Sequence, residues 1–113
     1  MDGIYKVTFR GAADWGIGLL ELRDRIVAGA DAAGATYDGT YEETDTEITL
    51  DLNMTVPPGV TLVQGQPARS TQYSVPFYVT IPKQSIAEGT PVSVELPPGP
   101  VNVIVTRLRE FAH

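Results

Sequence analysis

The segment Glu47–Val56, EITLDLNMTV, decides the fold. Its apolar and polar side chains alternate along the whole segment, and the apolar set falls on one face: Ile48, Leu50, Leu52, Met54 and Val56. A period of two is typical of a β-strand with one buried and one solvated face. The segment therefore predicts a strand whose inner face contributes to the core of a β protein.

The same alternation recurs in residues 5–9, 73–81 and 92–96. Pro76 interrupts the second of these segments, and because proline has no backbone N–H, it indicates an edge strand or a bulge. Residues 101–108 differ, since apolar side chains occupy both faces: Val101, Val103, Ile104 and Val105. A strand that is apolar on both sides predicts something packed outside it, and we expect a homodimer contact there.

Turn-forming residues separate these segments. Asp24 and Arg25 stand between two strand-like stretches, and Val56-Pro-Pro-Gly-Val60 and Leu96-Pro-Pro-Gly-Pro100 pair proline with glycine as type II turns require. Helical signals are weak, with at most one turn over residues 82–89. About eight short strands joined by tight turns indicate a closed meander barrel or a sandwich. Sequential hairpins favour an up-and-down antiparallel barrel, because closure removes exposed edges. Residues 1–113 are predicted to form a single β-barrel domain.

Composition limits the location and the chemistry. The chain contains no cysteine, which excludes disulfides and thiolate chemistry and fits a reducing cytoplasm. The opening residues, MDGIYKVTFRG, do not resemble a signal peptide. No apolar run approaches the roughly 18 residues of a spanning helix. The sequence therefore predicts a soluble, cytoplasmic protein without a membrane partner.

The negative charge is concentrated in one segment. Residues 26–68 contain seven acidic and no basic side chains, whereas the net charge of the whole chain is −6. The centre of this segment is YEETDTEITLDL at residues 41–52, where residues 42–46 are expected to form a hairpin turn. Such a charge distribution disfavours direct binding of nucleic acid, which needs clustered Lys and Arg. It suits either a basic protein partner or a plain solvated turn and strand face.

Few residues offer catalytic or metal chemistry. The single histidine, His113, is the last residue, and a catalytic triad or zinc site needs a fixed histidine or cysteine. The Gly16-Ile-Gly18 pair lacks the third glycine and the helix of a phosphate-binding motif, and we interpret it as close packing of strands. The spacing of Glu42, Glu43, Asp45 and Glu47 does not match a helical calcium loop. We expect no enzymatic activity, metal or cofactor.

The interior of a small barrel offers an alternative role. Closed barrels of this size can hold one small apolar ligand. Aromatic side chains predicted on inward faces are the candidates to line such a site: Tyr5, Phe9, Trp15, Tyr73 and Phe77. Aromatic rings on inward faces are, however, more often part of an ordinary filled core.

An ordered series of short motifs resembles a known family. It runs Gly3-x-Tyr5-x-Val7-x-Phe9, then Gly16-x-Gly18-x-Leu20-x-Leu22-x-Asp24, Ile26-x-x-Gly29-x-Asp31, Tyr37-x-Gly39-x-Tyr41, the acidic run, and Tyr78-Val-Thr-Ile81-Pro82-Lys83. The series resembles the GrlR family, negative regulators of bacterial type III secretion, and its bacterial relatives. The similarity covers most of the chain and rests on the order of the motifs.

The resemblance implies a lipocalin-like barrel that forms a dimer and has a regulatory or adaptor role. It also implies that an acidic surface run captures a basic helix-turn-helix transcription activator. That role would fall here to Glu42, Glu43, Asp45 and Glu47. Thr44 and Thr46 separate these acids, whereas the acids of the regulator are contiguous.

Overall fold

The computed structural model of the protein describes residues 1–111. This part of the chain is nearly all β, with one short helix, α1, at Lys83–Glu88. The strands are β1 (Gly3–Arg10), β2 (Trp15–Arg23), β3 (Ile26–Asp31), β4 (Thr36–Glu43), β5 (Glu47–Val56), β6 (Tyr73–Pro82), β7 (Val92–Leu96) and β8 (Gly99–Arg109).

The eight strands form one antiparallel sheet with the order β6-β5-β4-β3-β2-β1-β8-β7. Sequential neighbours pair through hairpins, and β8 returns to pair with β1, which gives the up-and-down order of a barrel. The two end strands, β6 and β7, lie next to each other without a shared ladder in residues 1–111, and α1 packs against β6 and β8. The barrel is therefore nearly closed, and the predicted fold class is confirmed. Pro76 lies in β6, an edge strand, as its missing N–H indicated.

Turn chemistry agrees with the sequence in most places. Asp24 and Arg25 form the two-residue connection of the β2–β3 hairpin with φ values of 50° and 67°, as a type I′ turn requires. Gly59 has a φ of 82°, which a type II turn places on glycine. Gly99 differs: it is the first residue of β8, and the turn before it consists of Pro97 and Pro98. The two Pro-Pro-Gly segments are therefore used in different ways.

The barrel interior has a closed end and an end covered by a loop. At the closed end, buried side chains form a continuous cluster whose most buried members are Tyr5, Val27 and Ile48, and Ile86 of α1 joins it. At the other end, Val56 and Leu62 belong to a second cluster. The strands thus plug one end of the barrel with their own side chains, while a loop contributes to the other.

That loop consists of residues 57–72, and we call it the strap. The backbone N–H groups of Ala13 and Asp14 both donate to the Val63 carbonyl oxygen, at 2.8 and 3.0 Å. Gly11 allows this approach, because a Cβ there would lie 2.6 Å from the Val63 carbonyl group. The β1–β2 connection therefore anchors the strap across the end of the barrel.

No helix in residues 1–111 combines the length and the apolar character needed to cross a membrane.

Candidate functional site

A cavity of about 410 Å³ lies inside the barrel beneath the strap and is partly open to solvent. Its apolar wall comes from the inner faces of several strands and from the strap: Val7, Phe9, Leu20, Leu50, Leu52, Met54, Phe77, Val79, Val103, Val60 and Leu62. Toward the closed end it reaches Ile81 and Val105. The cavity is therefore a deep, mostly apolar space.

Two glycines on the inner face of β2 let neighbouring groups pack closely against this part of the cavity wall. Gly16 and Gly18 lie on the inner face of β2 and border the cavity, so this part of the wall has no side chains. A Cβ on Gly16 would lie 2.5 Å from the Phe9 ring, and one on Gly18 would lie 2.8 Å from the Ala30 carbonyl oxygen. The pair therefore serves close packing of strands, as we inferred from the sequence.

The polar groups of the cavity lie toward the strap end. Asp14 stands immediately before β2, and Asp31 ends β3, which pairs with β2 at Gly18. The remaining polar side chains of the lining are Tyr37, Thr61 and Gln64. Among the described residues, no Lys or Arg side chain lines the cavity.

Asp31 is held in place by its own loop. One carboxylate oxygen accepts hydrogen bonds from the backbone N–H groups of Ala33 and Ala35, at 3.0 and 3.1 Å, and the other accepts from the Tyr37 hydroxyl at 2.8 Å. Burial raises the pKa of Tyr37 above its ordinary value, and the negative charge of Asp31 raises it further. The Tyr37 hydroxyl thus stays protonated and remains a donor, which fixes the carboxylate at the rim.

The five aromatic residues proposed for the interior occupy different places. Phe9, Trp15 and Phe77 border the cavity, although Trp15 is 65% exposed and forms part of the rim. Tyr5 belongs to the core of the closed end, where its hydroxyl donates to the Met1 carbonyl oxygen at 2.5 Å. Tyr73 packs against the second cluster. The structure thus brings three of the five together at the cavity.

Tyr73 also has an unusual environment. Its buried hydroxyl has no hydrogen-bond partner within residues 1–111, and the Arg69 guanidinium lies 4.0 Å from the centre of its ring. The cation–π contact holds the strap side of the barrel against β6. This arrangement serves the packing of the strap and takes Tyr73 away from the cavity lining.

The acids of the run are all exposed, and they differ in whether they form salt bridges. Glu42, Asp45 and Glu47 are exposed, and within residues 1–111 none of them forms a salt bridge. Glu43 instead contacts the Lys83 ammonium at 2.7 Å and the amino group of Met1 at 3.1 Å. The hydrogen bond from Lys83 lowers the pKa of Glu43, and the amino group lowers it further. Glu43 therefore ties the β4–β5 hairpin to α1.

The turn between β4 and β5 has a local structural explanation. The Thr44 hydroxyl oxygen accepts from the backbone N–H groups of Thr46 and Glu47, at 3.3 and 3.1 Å. Threonine is favoured in turns because its hydroxyl can bond the nearby backbone in this way. The interruption of the acids by Thr44 thus has a role in the turn itself.

Of the four β8 residues expected at a dimer contact, three point into the barrel. Val101 and Val105 are buried in the core cluster, and Val103 lines the cavity. Ile104 alone faces outward, because β8 alternates between the inner and outer surfaces. A strand that is apolar on both faces looked like an interface, but one of its faces is the cavity wall.

The sequence reasoning missed a different apolar surface. Trp15, Ile17 and Leu19 alternate with the inward residues of β2; they are 65%, 38% and 50% exposed and also border the open side of the cavity. The alternation in WGIGLLELR placed its larger side chains on this face, and a period-two reading assigns the larger set to the inside. The glycines on the other face were the signal that β2 borders a hollow.

In the described part of the chain, no group of three or more His, Cys, Asp or Glu side chains could hold a metal ion. His113 lies outside the described residues.

The fold and the site define a small eight-stranded β-barrel with an apolar interior cavity. In comparisons with known proteins, no family model and no curated protein matches the sequence.

Proposed function

We propose that the protein binds a small apolar molecule inside the barrel and carries it in the manner of lipocalin-like proteins. The supporting observation is the cavity of about 410 Å³ with its mostly apolar wall. Ligand pockets in proteins typically measure about 300–1,000 Å³ and combine an apolar lining with a few polar groups. A molecule of this size gains affinity because its apolar surface leaves water.

The position of the cavity fits this function. The buried cluster at the closed end gives the cavity a floor, and the strap forms part of its cover. We therefore propose that the ligand enters at the strap end of the barrel. Trp15 borders the cavity at this exposed rim and is the only tryptophan in the chain, so we use it as the fluorescent probe of binding.

Native mass spectrometry of the protein purified from its source tests the proposal. We expect a retained small molecule, and titration of the emptied protein with dodecanol should shift the Trp15 fluorescence emission to shorter wavelength. A clean apo mass together with unchanged Trp15 emission would contradict the carrier function.

A second function is supported by the exposed acids. We propose that Glu42, Asp45 and Glu47 form an acidic surface for a basic protein partner, such as a transcription activator, as in the GrlR-like regulators. All three are exposed, without salt bridges in the described part of the chain. Replacing them with Lys should abolish capture of the partner and leave the circular dichroism spectrum unchanged. Replacing Glu95 with Lys, an exposed acid of β7, is the matched control. Capture that persists in the triple variant would refute this function.

Both functions are non-enzymatic, and the lack of cysteine suits a cytoplasmic location. We also propose a homodimer that uses the outer faces of β8, β1 and β2. There the register aligns Ile104, Thr8 and Ile17 in one row across three strands.

A further inference from the structure

We propose that the ligand carries a cationic amine at its polar end and that Asp14 and Asp31 hold this amine at the strap end of the cavity. The inference rests on the proposed carrier function and specifies the chemical class of the ligand. Its basis is the distribution of charge around the cavity.

Within residues 1–111, only acidic side chains contribute formal charge to the cavity wall. Asp14 and Asp31 are both part of the lining, and no Lys or Arg of residues 1–111 joins them. The basic side chains on this side of the molecule are directed elsewhere. Arg10 is exposed on the outer face of β1, and Arg69 stacks on Tyr73. A charged ligand group at this end therefore meets a negative field.

The two carboxylates differ in the hydrogen bonds that they accept. Asp31 accepts hydrogen bonds from two backbone N–H groups and from the Tyr37 hydroxyl, so its charge stays in one place. Asp14 is exposed, and within residues 1–111 its carboxylate accepts from the adjacent Trp15 backbone N–H alone, at 2.8 Å. An ammonium group can pair with either carboxylate, and beside an apolar wall this attraction is stronger than in bulk water.

The rest of the cavity fixes the orientation of such a molecule. The floor toward the closed end consists of apolar side chains, including Leu50, Ile81 and Val105. Burying a charged group there without a partner is strongly unfavourable. The apolar part of the ligand therefore occupies the floor, and its charged end lies at the acids.

A carboxylate at the polar end is disfavoured by the same arrangement. It would face two like charges with no cation to compensate them, and like charges placed close together repel. A neutral hydroxyl group can form hydrogen bonds with nearby polar groups, but the negative charge of the two carboxylates does not stabilise it. The expected order of affinity is therefore amine, then alcohol, then carboxylate.

Three probes with the same chain and different ends test this order: dodecylamine, dodecanol and dodecanoate. Each is titrated into the emptied protein below its micelle concentration, and calorimetry with Trp15 fluorescence gives the Kd. We expect dodecylamine to bind most tightly at low salt. Its advantage over dodecanol should shrink toward 1 M salt, where the screening length falls to about 3 Å.

Two variants locate the effect. Asp14→Asn removes a carboxylate whose one contact is a neighbouring N–H, so the fold should be preserved. We expect this variant to bind dodecylamine roughly two- to five-fold more weakly, the range for a solvent-accessible ion pair, with dodecanol unaffected. Asp51→Asn removes the same charge from the outer face of β5 and should change neither Kd.

The outcomes separate this inference from the carrier function. Dodecanol binding with dodecanoate equal to or tighter than dodecylamine overturns the cationic class and leaves the carrier function intact. Equal weakening of dodecylamine in Asp14→Asn and Asp51→Asn also overturns it, since the effect would then reflect net charge. If none of the three probes binds, both proposals fail.

Discussion

Whether the barrel is hollow can be tested by adding the same side-chain volume at two positions. Val103 on β8 lines the cavity, whereas Val27 on β3 is 1% exposed and belongs to the packed core. Both side chains face inward on strands of the same sheet, and Val→Phe adds the same atoms in each case. At Val27 the larger ring has no space, and overpacking a dense core costs about 1–3 kcal/mol.

At Val103 the ring enters the cavity of about 410 Å³. Filling empty apolar space removes further apolar area from water, and the difference between a buried Phe and a buried Val gives a gain of up to about 1 kcal/mol. Urea unfolding followed by circular dichroism measures both free energies of unfolding. We expect the free energy of unfolding of V103F to equal or exceed that of the natural protein, and that of V27F to be lower. V103F should also weaken dodecanol binding, because the ring takes the place of the ligand.

If V103F lowers the free energy of unfolding as much as V27F does, the interior at Val103 is packed. That result would refute the hollow barrel and with it the carrier function.

Three further predictions concern the fold and its surface. Glu43→Gln should cost at most about 1 kcal/mol at pH 7, because its pairing with Lys83 is partly exposed. Since pairing lowers the pKa of Glu43 below 4.5, this contribution is present above that pH and disappears as the pH falls through the lowered pKa. The Tm values of the natural protein and Glu43→Gln should therefore converge between pH 7 and pH 3. A Tm difference that stays constant over this range would contradict the pairing. Gly39→Ala should cost about 2 kcal/mol or more, because its Cβ would clash with a backbone carbonyl of β5. At Gly59 an added Cβ would meet no other atom, and the only cost is the strain of a positive φ. Gly59→Ala should therefore lower the free energy of unfolding, measured with urea, by about 1 kcal/mol. Ile104→Glu should convert a homodimer to a monomer in light scattering, and a natural protein that is monomeric at micromolar concentration would exclude the dimer.

The sequence predicted the strands well where one face is buried and the other wet. In β5 the inner residues are all buried, and the polar residues between them remain partly or fully exposed, because period-two alternation reflects burial directly. The turn at Asp24 and Arg25 and the edge position of Pro76 were also predictable, since both follow from local backbone chemistry.

The cavity could not be predicted in the same way. In β2 and β8 both faces carry apolar residues, and a pattern of hydrophobicity does not distinguish a wall that faces a hollow from one that faces a partner. The sequence-based expectation of a dimer contact at Val103 thus fell on a residue that lines the cavity. The strap is a second obstacle, because residues 57–72 have no periodicity and their position depends on distant contacts such as the one between Ala13 and Val63.

The two proposed functions use opposite ends of the barrel. β5 begins at the acidic hairpin with Glu47 and ends at the strap with Val56, so its 10 residues separate the acidic surface from the mouth of the cavity. At about 3.3 Å per residue, this separation is roughly 30 Å, about three screening lengths at 0.1 M salt. A partner bound at Glu42, Asp45 and Glu47 therefore leaves the mouth accessible, and the fields at the two ends are independent. Lys substitutions at these three acids should leave the Kd for dodecylamine unchanged within about two-fold at 0.1 M salt. A larger change would mean that the acids act on the cavity through the sheet, and the two functions would then be coupled.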